Sequence, residues 1–306
     1  MALDLSVNLC GLKLSNPTIL ASGIAGISKA SISYAAKNGA AAVTIKSITA
    51  EKRKGHPAPI ILTYEGGMLN SVGYSNPGID NIADEFSDLS SVGVPVIGSI
   101  TGRNVDEFVM LAEKIDKMDF AAMEIVLSCP HTPGYGTMAG QSTPEITQEI
   151  TASVRKKTKK PLFVKLSPNV MAISDIAKAA EKAGADAITA VNTSGPGMLI
   201  DIKTAKPILG GKIGGLSGDA LRPVAVRCVY DIYKAVKIPI IGTGGIMTGE
   251  HAIEMVMAGA TAVGIGTAVY YRGIDVFEKV TAEVQQFMEE NGYGTIKEMV
   301  GVAHEK

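Results

Sequence analysis

The feature that most constrains the fold of this chain is a series of short, continuous apolar runs separated by stretches with helical spacing. Eight such runs, rich in β-branched residues, lie at 18–22, 41–46, 94–100, 121–127, 161–166, 186–192, 238–244 and 261–267. Between them, segments such as 105–118 and 173–184 place apolar residues at helical intervals among charged ones. Runs that are apolar throughout predict strands buried on both faces, as in a parallel sheet covered by helices.

A weak internal repeat supports the same order of strands and helices. The segments KNGAAAVT, KAGADAIT and MAGATAVG place Gly39, Gly184 and Gly259 between a helical stretch and a strand. Glycine adopts the left-handed conformation that ends a helix, and the following alanine lets the helix pack closely on the sheet. Eight such units predict an α/β fold, a single-domain (β/α)8 TIM barrel over residues 1–306. An open, doubly wound sheet has the same alternation and remains the alternative.

Composition and charge exclude several classes of partner. With 29 basic and 30 acidic residues, the chain has no long-range attraction for nucleic acid or anionic lipid, so we expect a small-molecule ligand. Its three cysteines, Cys10, Cys129 and Cys228, form neither a disulfide framework nor a CxxC metal motif, which favours a reducing, cytoplasmic setting without a bound metal. The opening segment MALDLSVNLCGLKL has no signal-peptide or membrane-spanning character, so we expect no membrane attachment.

Two loops are longer than a barrel requires. One lies near 49–80, after the second predicted strand, and the other near 128–144, after the fourth. Both are rich in glycine and proline. Because barrel enzymes build their active sites from the loops at the carboxyl ends of the strands, we expect the active site there.

Glycine-rich turns follow the last two predicted strands, at 242–246 and 264–268, and a third lies at 214–218. Glycines at such turns let backbone N–H groups approach a phosphate, and a helix N-terminus adds a partial positive charge. The first two turns are where barrels bind phosphate, so we predict a phosphate site. Each turn taken alone is also compatible with tight barrel geometry.

Two lysines, Lys46 and Lys165, end otherwise apolar predicted strands. A buried lysine is unfavourable unless it meets an anion, and a reduced flavin carries negative charge along its N1–C2=O edge. Either lysine taken singly is also explained by a side chain that reaches solvent from a strand end. Three neutral polar residues at the same predicted barrel mouth, Asn70, Asn192 and Thr193, suit the amides and carbonyls of a ring, although each also suits a turn or cap.

Cys129 lies in the segment SCPH at 128–131, where the second long loop begins. A thiol in such a loop can act as an acid or base if its surroundings lower its pKa. The alternative is a small buried hydrophobic residue, which is our interpretation of Cys10 and Cys228. We predict that Cys129 is catalytic.

These residues lie in motifs that resemble the dihydroorotate dehydrogenases, specifically the class 1B catalytic subunit and its archaeal relatives. The motifs cover nearly the whole chain and include NSVGYSNPG, LSCPH, VKLSPNV, VNTSGPG and IPIIGTGGI. The resemblance implies FMN-dependent oxidation of dihydroorotate to orotate in pyrimidine biosynthesis. In the family mechanism, a cysteine matching Cys129 takes the C5 proton while C6 passes hydride to flavin N5.

The resemblance also assigns binding residues by position. It implies FMN contacts at Ala21, Ser22, Lys46, Ser47, Ser99, Lys165, Val191, Gly218, Gly244, Gly245, Gly266 and Thr267. It implies a substrate pocket formed by Lys46, Asn70, Ser71, Val72, Gly73, Tyr74, Asn192 and Thr193.

The partners follow from the same resemblance. We expect a homodimer, and a heterotetramer with a subunit that holds FAD and a [2Fe–2S] cluster. This chain has neither the cysteines for a cluster nor a GxGxxG dinucleotide turn, so we do not expect it to reduce NAD by itself.

Three positions depart from the family pattern and leave other functions open. Val126 and His131 stand where the family usually has asparagines in Asn-x-Ser-Cys-Pro-Asn, and Ser99 replaces a flavin-contacting asparagine. Valine cannot hydrogen-bond a substrate, so an alternative is an FMN oxidoreductase acting on another dihydropyrimidine or cyclic amide. A flavin-free, phosphate-binding barrel lyase or isomerase and a catalytically silent scaffold subunit are further alternatives.

Overall fold

The computed structural model describes residues 3–128, 134–135 and 141–304. Within these ranges the strands are β1 (Val7–Leu9), β2 (Leu12–Leu14), β3 (Thr18–Leu20), β4 (Ala42–Thr44), β5 (Ile61–Tyr64), β6 (Gly67–Asn70), β7 (Val96–Ile100), β8 (Ala122–Val126), β9 (Leu162–Leu166), β10 (Ala187–Ala190), β11 (Ser194–Gly197), β12 (Ile200–Asp201), β13 (Lys206–Pro207), β14 (Gly214–Ser217), β15 (Ile240–Thr243) and β16 (Ala262–Ile265). The α-helices in the same part of the chain are α1 (Lys29–Lys37), α2 (Val105–Asp116), α3 (Pro144–Arg155), α4 (Ile173–Lys182), α5 (Arg222–Tyr233), α6 (Gly249–Met257), α7 (Ala268–Arg272), α8 (Val276–Asn291) and α9 (Ile296–Met299).

Eight strands close into a barrel in the order β3, β4, β7, β8, β9, β10, β15 and β16, with β16 pairing back to β3. Every neighbouring pair is parallel. Each of the eight apolar runs contains one barrel strand, because a strand covered by helices outside and packed side chains inside is apolar on both faces. The predicted (β/α)8 barrel is confirmed, and closure excludes the open sheet.

The helices cover the barrel with one apolar face each. In α2 the buried residues are Phe108, Leu111, Ala112 and Ile115, which recur at the spacing of one helical face. Asn104 begins this helix, since its side chain accepts a hydrogen bond from the backbone N–H of Glu107. None of the helices in the described ranges is long and apolar enough to cross a bilayer.

A second sheet lies outside the barrel and joins two segments that are distant in sequence. Its order is β11, β14, β6 and β5, so it combines strands from the connection after β4 with strands from the connection after β10. The sequence indicated the first insertion but gave no indication of strands at 194–217. Pairing of β14 with β6 sets Gly215 opposite Asn70, which places the end of β6 beside the barrel connections.

Candidate active site

A cleft opens at the carboxyl ends of the barrel strands. Seven of the eight strands, all but β7, contribute lining residues from their last positions or the turns that follow. The cleft holds about 1200 Å³ of space between atoms, part of it open to solvent. This is the end of the barrel at which barrel enzymes bind their ligands.

Most of the predicted binding residues lie together on the walls of this cleft. From the cofactor set these are Ala21, Ser22, Lys46, Ser47, Lys165, Val191, Gly218, Gly244, Gly245, Gly266 and Thr267, and from the substrate set Asn70, Val72, Gly73, Tyr74, Asn192 and Thr193. Ser71 and Ser99 do not line it. Cys129 and His131 lie outside the described residues.

Lys165 is the main buried charge of the cleft. Lys165 is 4% exposed, and its ammonium donates a hydrogen bond to the Ser22 hydroxyl at 3.0 Å. Among the residues that the structure describes, no carboxylate oxygen lies within 4.0 Å of this ammonium, so no ion pair neutralises it there. A buried cation without a carboxylate partner favours an anionic or electron-rich ligand in the cleft.

Lys46 connects the cofactor and substrate sets. Its backbone N–H donates to the carbonyl of Gly26 at 2.8 Å, which fixes the turn after β4. Its ammonium lies 5.6 Å from the centre of the Tyr74 ring, and that ring packs against Tyr135 with 5.4 Å between ring centres. The lysine therefore lies at the boundary between the two predicted sets.

The glycine turns after β15 and β16 form one end of the cleft. Gly245 has φ +76°, and a Cβ at this position would lie 2.4 Å from the Cβ of Arg222, so only glycine fits. Nearby, Thr267 donates from its hydroxyl to that of Ser217 at 2.8 Å. The hydroxyl of Thr243, at the end of β15, is buried and has no hydrogen-bond partner among the described residues. These donors and close backbone approaches suit a phosphate group.

Polar side chains at the other end of the cleft are held in place by backbone carbonyls. Asn70 donates from its amide to the carbonyl of Gly215 at 3.3 Å. Asn192 donates to the carbonyl of Ser128 at 3.2 Å, while its amide oxygen accepts from the backbone N–H of Thr193 at 2.9 Å. The region predicted to bind a ring amide thus contains fixed amide groups.

Ser71 supports this end of the cleft from behind. It is fully buried, and its hydroxyl lies 3.0 Å from Nδ1 of His56. His56 is not among the residues that the sequence indicates, because a histidine in a polar loop gives no signal of the residue it contacts. The pair ties the first part of the loop near 49–80 to the later part that carries Asn70 and Tyr74.

Ser99 lies behind Ser47 rather than on the cleft wall. The two hydroxyl oxygens are 3.0 Å apart, and the hydroxyl of Ser99 also donates to the carboxylate of Glu124 at 3.3 Å. Glu124 is not among the predicted site residues, although a glutamate inside the apolar run at 121–127 is a visible signal in the sequence. The departure at Val126 does reach the cleft: this buried side chain lines its wall, beside Lys165 in the strand register.

The fold and the cleft define the class of protein: it is a (β/α)8-barrel enzyme with its site at the carboxyl ends of the strands. The family model described as dihydroorotate dehydrogenase matches residues 4–288. The chain belongs to the dihydroorotate dehydrogenase family. This confirms the predicted family and enzyme class, an oxidoreductase of pyrimidine biosynthesis that depends on a flavin.

Similar proteins come from several archaea and match along nearly the whole chain. Each of the following is named "Dihydroorotate dehydrogenase B (NAD(+)), catalytic subunit". The protein of Methanocaldococcus jannaschii is 45% identical over 305 residues, which is 98% of each chain. That of Thermoplasma acidophilum is 45% identical over 300 residues, covering 98% of this chain and 99% of the relative, and that of Pyrococcus abyssi is 44% identical over 299 residues with the same coverage.

Proposed function

We propose that this chain oxidises dihydroorotate to orotate with FMN as its cofactor, the flavin ring lying beside Lys165 and the phosphate at the glycine turns. The observation that carries this proposal is the buried Lys165 ammonium, which has no carboxylate partner among the described residues. A cation in that position stabilises negative charge on an adjacent ring. When bound, FMN supplies the acceptor for the hydride that leaves the substrate.

The choice of FMN over FAD rests on the phosphate end of the cleft. Gly244, Gly245, Gly266 and Thr267 line it together, and Thr243 adds a buried hydroxyl without a partner among the described residues. This is a compact set of donors and close backbone approaches, suited to one terminal phosphate. Lys46 and the amides of Asn70 and Asn192 would then hold the pyrimidine ring of the substrate.

Cys129 is proposed as the base that takes the C5 proton of dihydroorotate. Cys129 lies outside the described residues, but the two residues before it are hydrogen-bonded to residues that line the cleft. The backbone N–H of Leu127 donates to the carbonyl of Lys165 at 3.2 Å, and the carbonyl of Ser128 accepts from Asn192 at 3.2 Å. The proposal for Cys129 therefore rests on the family resemblance and on the placement of the residues that precede it.

The partners remain proposals as well. The matched relatives are named catalytic subunits, which supports an assembly with a second subunit. We propose that this is the FAD and [2Fe–2S] subunit expected from the resemblance, and that the present chain pairs with a second copy of itself. The predicted cytoplasmic location is part of the same proposal.

The test starts with the cofactor. We expect the purified chain to be yellow and to release FMN on denaturation, identified by chromatography against FAD. Without oxygen, dihydroorotate should then bleach the flavin absorbance. Release of FAD, or a colourless protein that does not take up added FMN, would contradict the cofactor proposal.

A second candidate function is favoured by Val126, whose apolar side chain lines the cleft where the family usually has asparagine. A different dihydropyrimidine would fit this apolar wall, and the chain would then be an FMN enzyme for that substrate. Dihydrouracil, which lacks the carboxylate of dihydroorotate, separates the two. Bleaching by dihydrouracil but not by dihydroorotate would assign the second function and leave the cofactor proposal intact.

A further inference from the structure

The barrel buries two charged side chains almost completely among the residues that the structure describes. These are Lys165, at 4% exposure, and Glu124, at 3% exposure, on the neighbouring strands β9 and β8. Lys165 reaches the cleft, but Glu124 does not line it. A carboxylate kept inside a barrel without contact to the site requires a physical reason, because its burial is unfavourable.

Glu124 is connected to the cleft by two serine hydroxyls. One carboxylate oxygen accepts from the hydroxyl of Ser99 at 3.3 Å, and the other accepts from the hydroxyl of Thr189 at 3.0 Å. The Ser99 oxygen lies 3.0 Å from that of Ser47, and Ser47 lines the cleft. A continuous chain of hydrogen bonds therefore runs from the cleft to the buried carboxylate.

The carboxylate sets the direction of this chain. An ionised carboxylate only accepts hydrogen bonds, whereas a hydroxyl has a single proton to donate. Once Ser99 donates its proton to Glu124, the contact between Ser47 and Ser99 must be donated by Ser47. The Ser47 oxygen is then left with lone pairs for the cleft and with no proton to offer a ligand.

We propose that Glu124 is a positioning residue that, through Ser99, holds the Ser47 hydroxyl as a hydrogen-bond acceptor for an N–H group of the flavin ring. The inference rests on the proposed function for the identity of the ring. Where the family usually has an asparagine that contacts the flavin directly, Ser99 would act on the ligand through Ser47.

The hydrogen bonds of Glu124 support an ionised side chain. Its two oxygens accept from the hydroxyls of Ser99 and Thr189, which is the pattern of a carboxylate. The strand register adds a link, since Thr189, which donates to Glu124, is the cross-strand partner of Lys165. A buried carboxylate is tolerated in a protein when its oxygens are hydrogen-bonded, and both oxygens of Glu124 are.

The direction of the hydrogen bonds from Ser47 through Ser99 to Glu124 is tested without any cofactor. In the full-length, flavin-free protein with carbon-13 at the glutamate carboxyls, the resonance missing from Glu124→Gln is that of Glu124. If that variant does not fold, the resonance that moves most in Ser99→Ala identifies it. We expect the chemical shift of a carboxylate at neutral pH. The shift of a protonated carboxyl group would overturn the inference, because Glu124 would then be able to donate to Ser99.

The effect on the ligand is tested with FMN itself. Ser47→Ala and Ser99→Ala should each weaken FMN binding by about 3–10-fold, the effect of one lost hydrogen bond. In the Ser47→Ala background, Ser99→Ala should have no further effect, because Ser99 acts through Ser47. Independent, multiplying effects of the two changes would overturn the inference.

A control separates positioning from a purely structural role of the carboxylate. Thr189→Val removes the other donor to Glu124 and leaves Ser99 and Ser47 in place. We expect FMN affinity within about twofold of the unchanged protein, whereas a loss equal to that in Ser99→Ala would contradict the proposal. If the unchanged protein binds no FMN, the proposed function fails. The ionisation of Glu124 still decides the direction of the hydrogen bonds between Ser47, Ser99 and Glu124.

Discussion

Lys165 donates a hydrogen bond to Ser22 across the mouth of the barrel, with 3.0 Å between the ammonium nitrogen and the hydroxyl oxygen. Lys165 lies on β9, and Ser22 follows β3, four strands away in the closed order. The side chain of Lys165 therefore reaches across the barrel mouth, and the bond to Ser22 fixes its ammonium there. A buried cation held there would face a ligand bound at the barrel mouth.

Replacing Lys165 by methionine keeps the apolar stem and removes the charge. We expect Lys165→Met to fold and to bind FMN about 10–100-fold more weakly, since a hydrogen bond from a charged group contributes roughly 1.5–3 kcal/mol. Quenching of flavin fluorescence on titration measures the affinity. Lys160→Met, which changes a lysine bound to the carbonyl of Phe120 just before the same strand, is the matched control. Equal affinity in the two variants would make Lys165 a structural residue only.

Val126→Asn tests the apolar wall of the cleft. Asparagine provides the hydrogen-bond partner usual in the family, and one additional hydrogen bond should lower the KM for dihydroorotate by about 3–10-fold. Flavin reduction measured against dihydroorotate concentration gives this value. Val126→Thr, which keeps the branched shape, should give a smaller change. A higher KM in Val126→Asn would show that the wild-type pocket is shaped for valine and would favour the alternative dihydropyrimidine function.

The barrel was predictable because its strands are buried on both faces. Each of the eight runs contains β-branched and other apolar residues throughout, and this pattern is visible in the sequence without knowledge of any contact. The sheet outside the barrel was not predictable in the same way. Strands β11 and β14, with the sequences SGPG and GGLS, have little strand propensity. β14 forms through pairing with β6, more than a hundred residues earlier in the chain, and β11 pairs with β14.

In the candidate site, too, some features were predictable from the sequence and others were not. Residues at strand ends, such as Lys46 and Lys165, were found because the end of an apolar run is visible in the sequence. Ser99 was expected to contact the flavin, but the structure places it behind Ser47 and off the cleft wall. Which of several polar side chains reaches the cleft depends on the tilt and stagger of the strands, and one sequence does not encode these in a readable pattern.

An ion pair that ties α8 to α7 predicts a pH dependence of stability. Glu283 accepts hydrogen bonds from Arg272 at 2.6 Å and from the backbone N–H of Gly249. Partial burial alone would raise the pKa of Glu283, but the hydrogen bonds and the charge of Arg272 outweigh it and hold the pKa below its usual value. A depressed carboxyl pKa contributes stability above the unfolded-state pKa, about 4.3, and that contribution is lost as the pH falls through the folded-state value.

Glu283→Gln should therefore lower the free energy of unfolding at pH 7 by about 1 kcal/mol. The difference from wild type should shrink as the pH is lowered below about 4, where both proteins carry a neutral side chain. Thermal unfolding followed by circular dichroism at several pH values measures this. Glu290→Gln, on the same helix and exposed, should have no comparable effect. A difference that is constant from pH 7 to pH 3 would rule out the ion pair as its source.

The cysteines offer a comparison of one proposed base with two packing residues. Partial burial, with a smaller contribution from the carboxylate of Asp186, raises the pKa of the Cys10 thiol to about 12. Burial raises the pKa of Cys228 to about 11, with Arg227 opposing the rise. Both thiols stay neutral at physiological pH and make poor bases. Cys10→Ala and Cys228→Ala are therefore matched controls that should reduce their flavin at the wild-type rate.

Cys129→Ala should fold and retain FMN but reduce it slowly with dihydroorotate, because proton removal at C5 loses its base. A general base contributes about 10²–10⁴-fold, which sets the expected loss, and Cys129→Ser should lie slightly above Cys129→Ala because a hydroxyl is a much weaker base than a thiolate. The wild-type rate should rise with pH as a thiol with a reference pKa of about 8.5 ionises, and this rise should disappear in Cys129→Ala. Anaerobic stopped-flow measurement of flavin bleaching from pH 6 to pH 10 tests both expectations. A wild-type rate in Cys129→Ala would assign the proton to another group, and His131→Ala would then be the variant to measure.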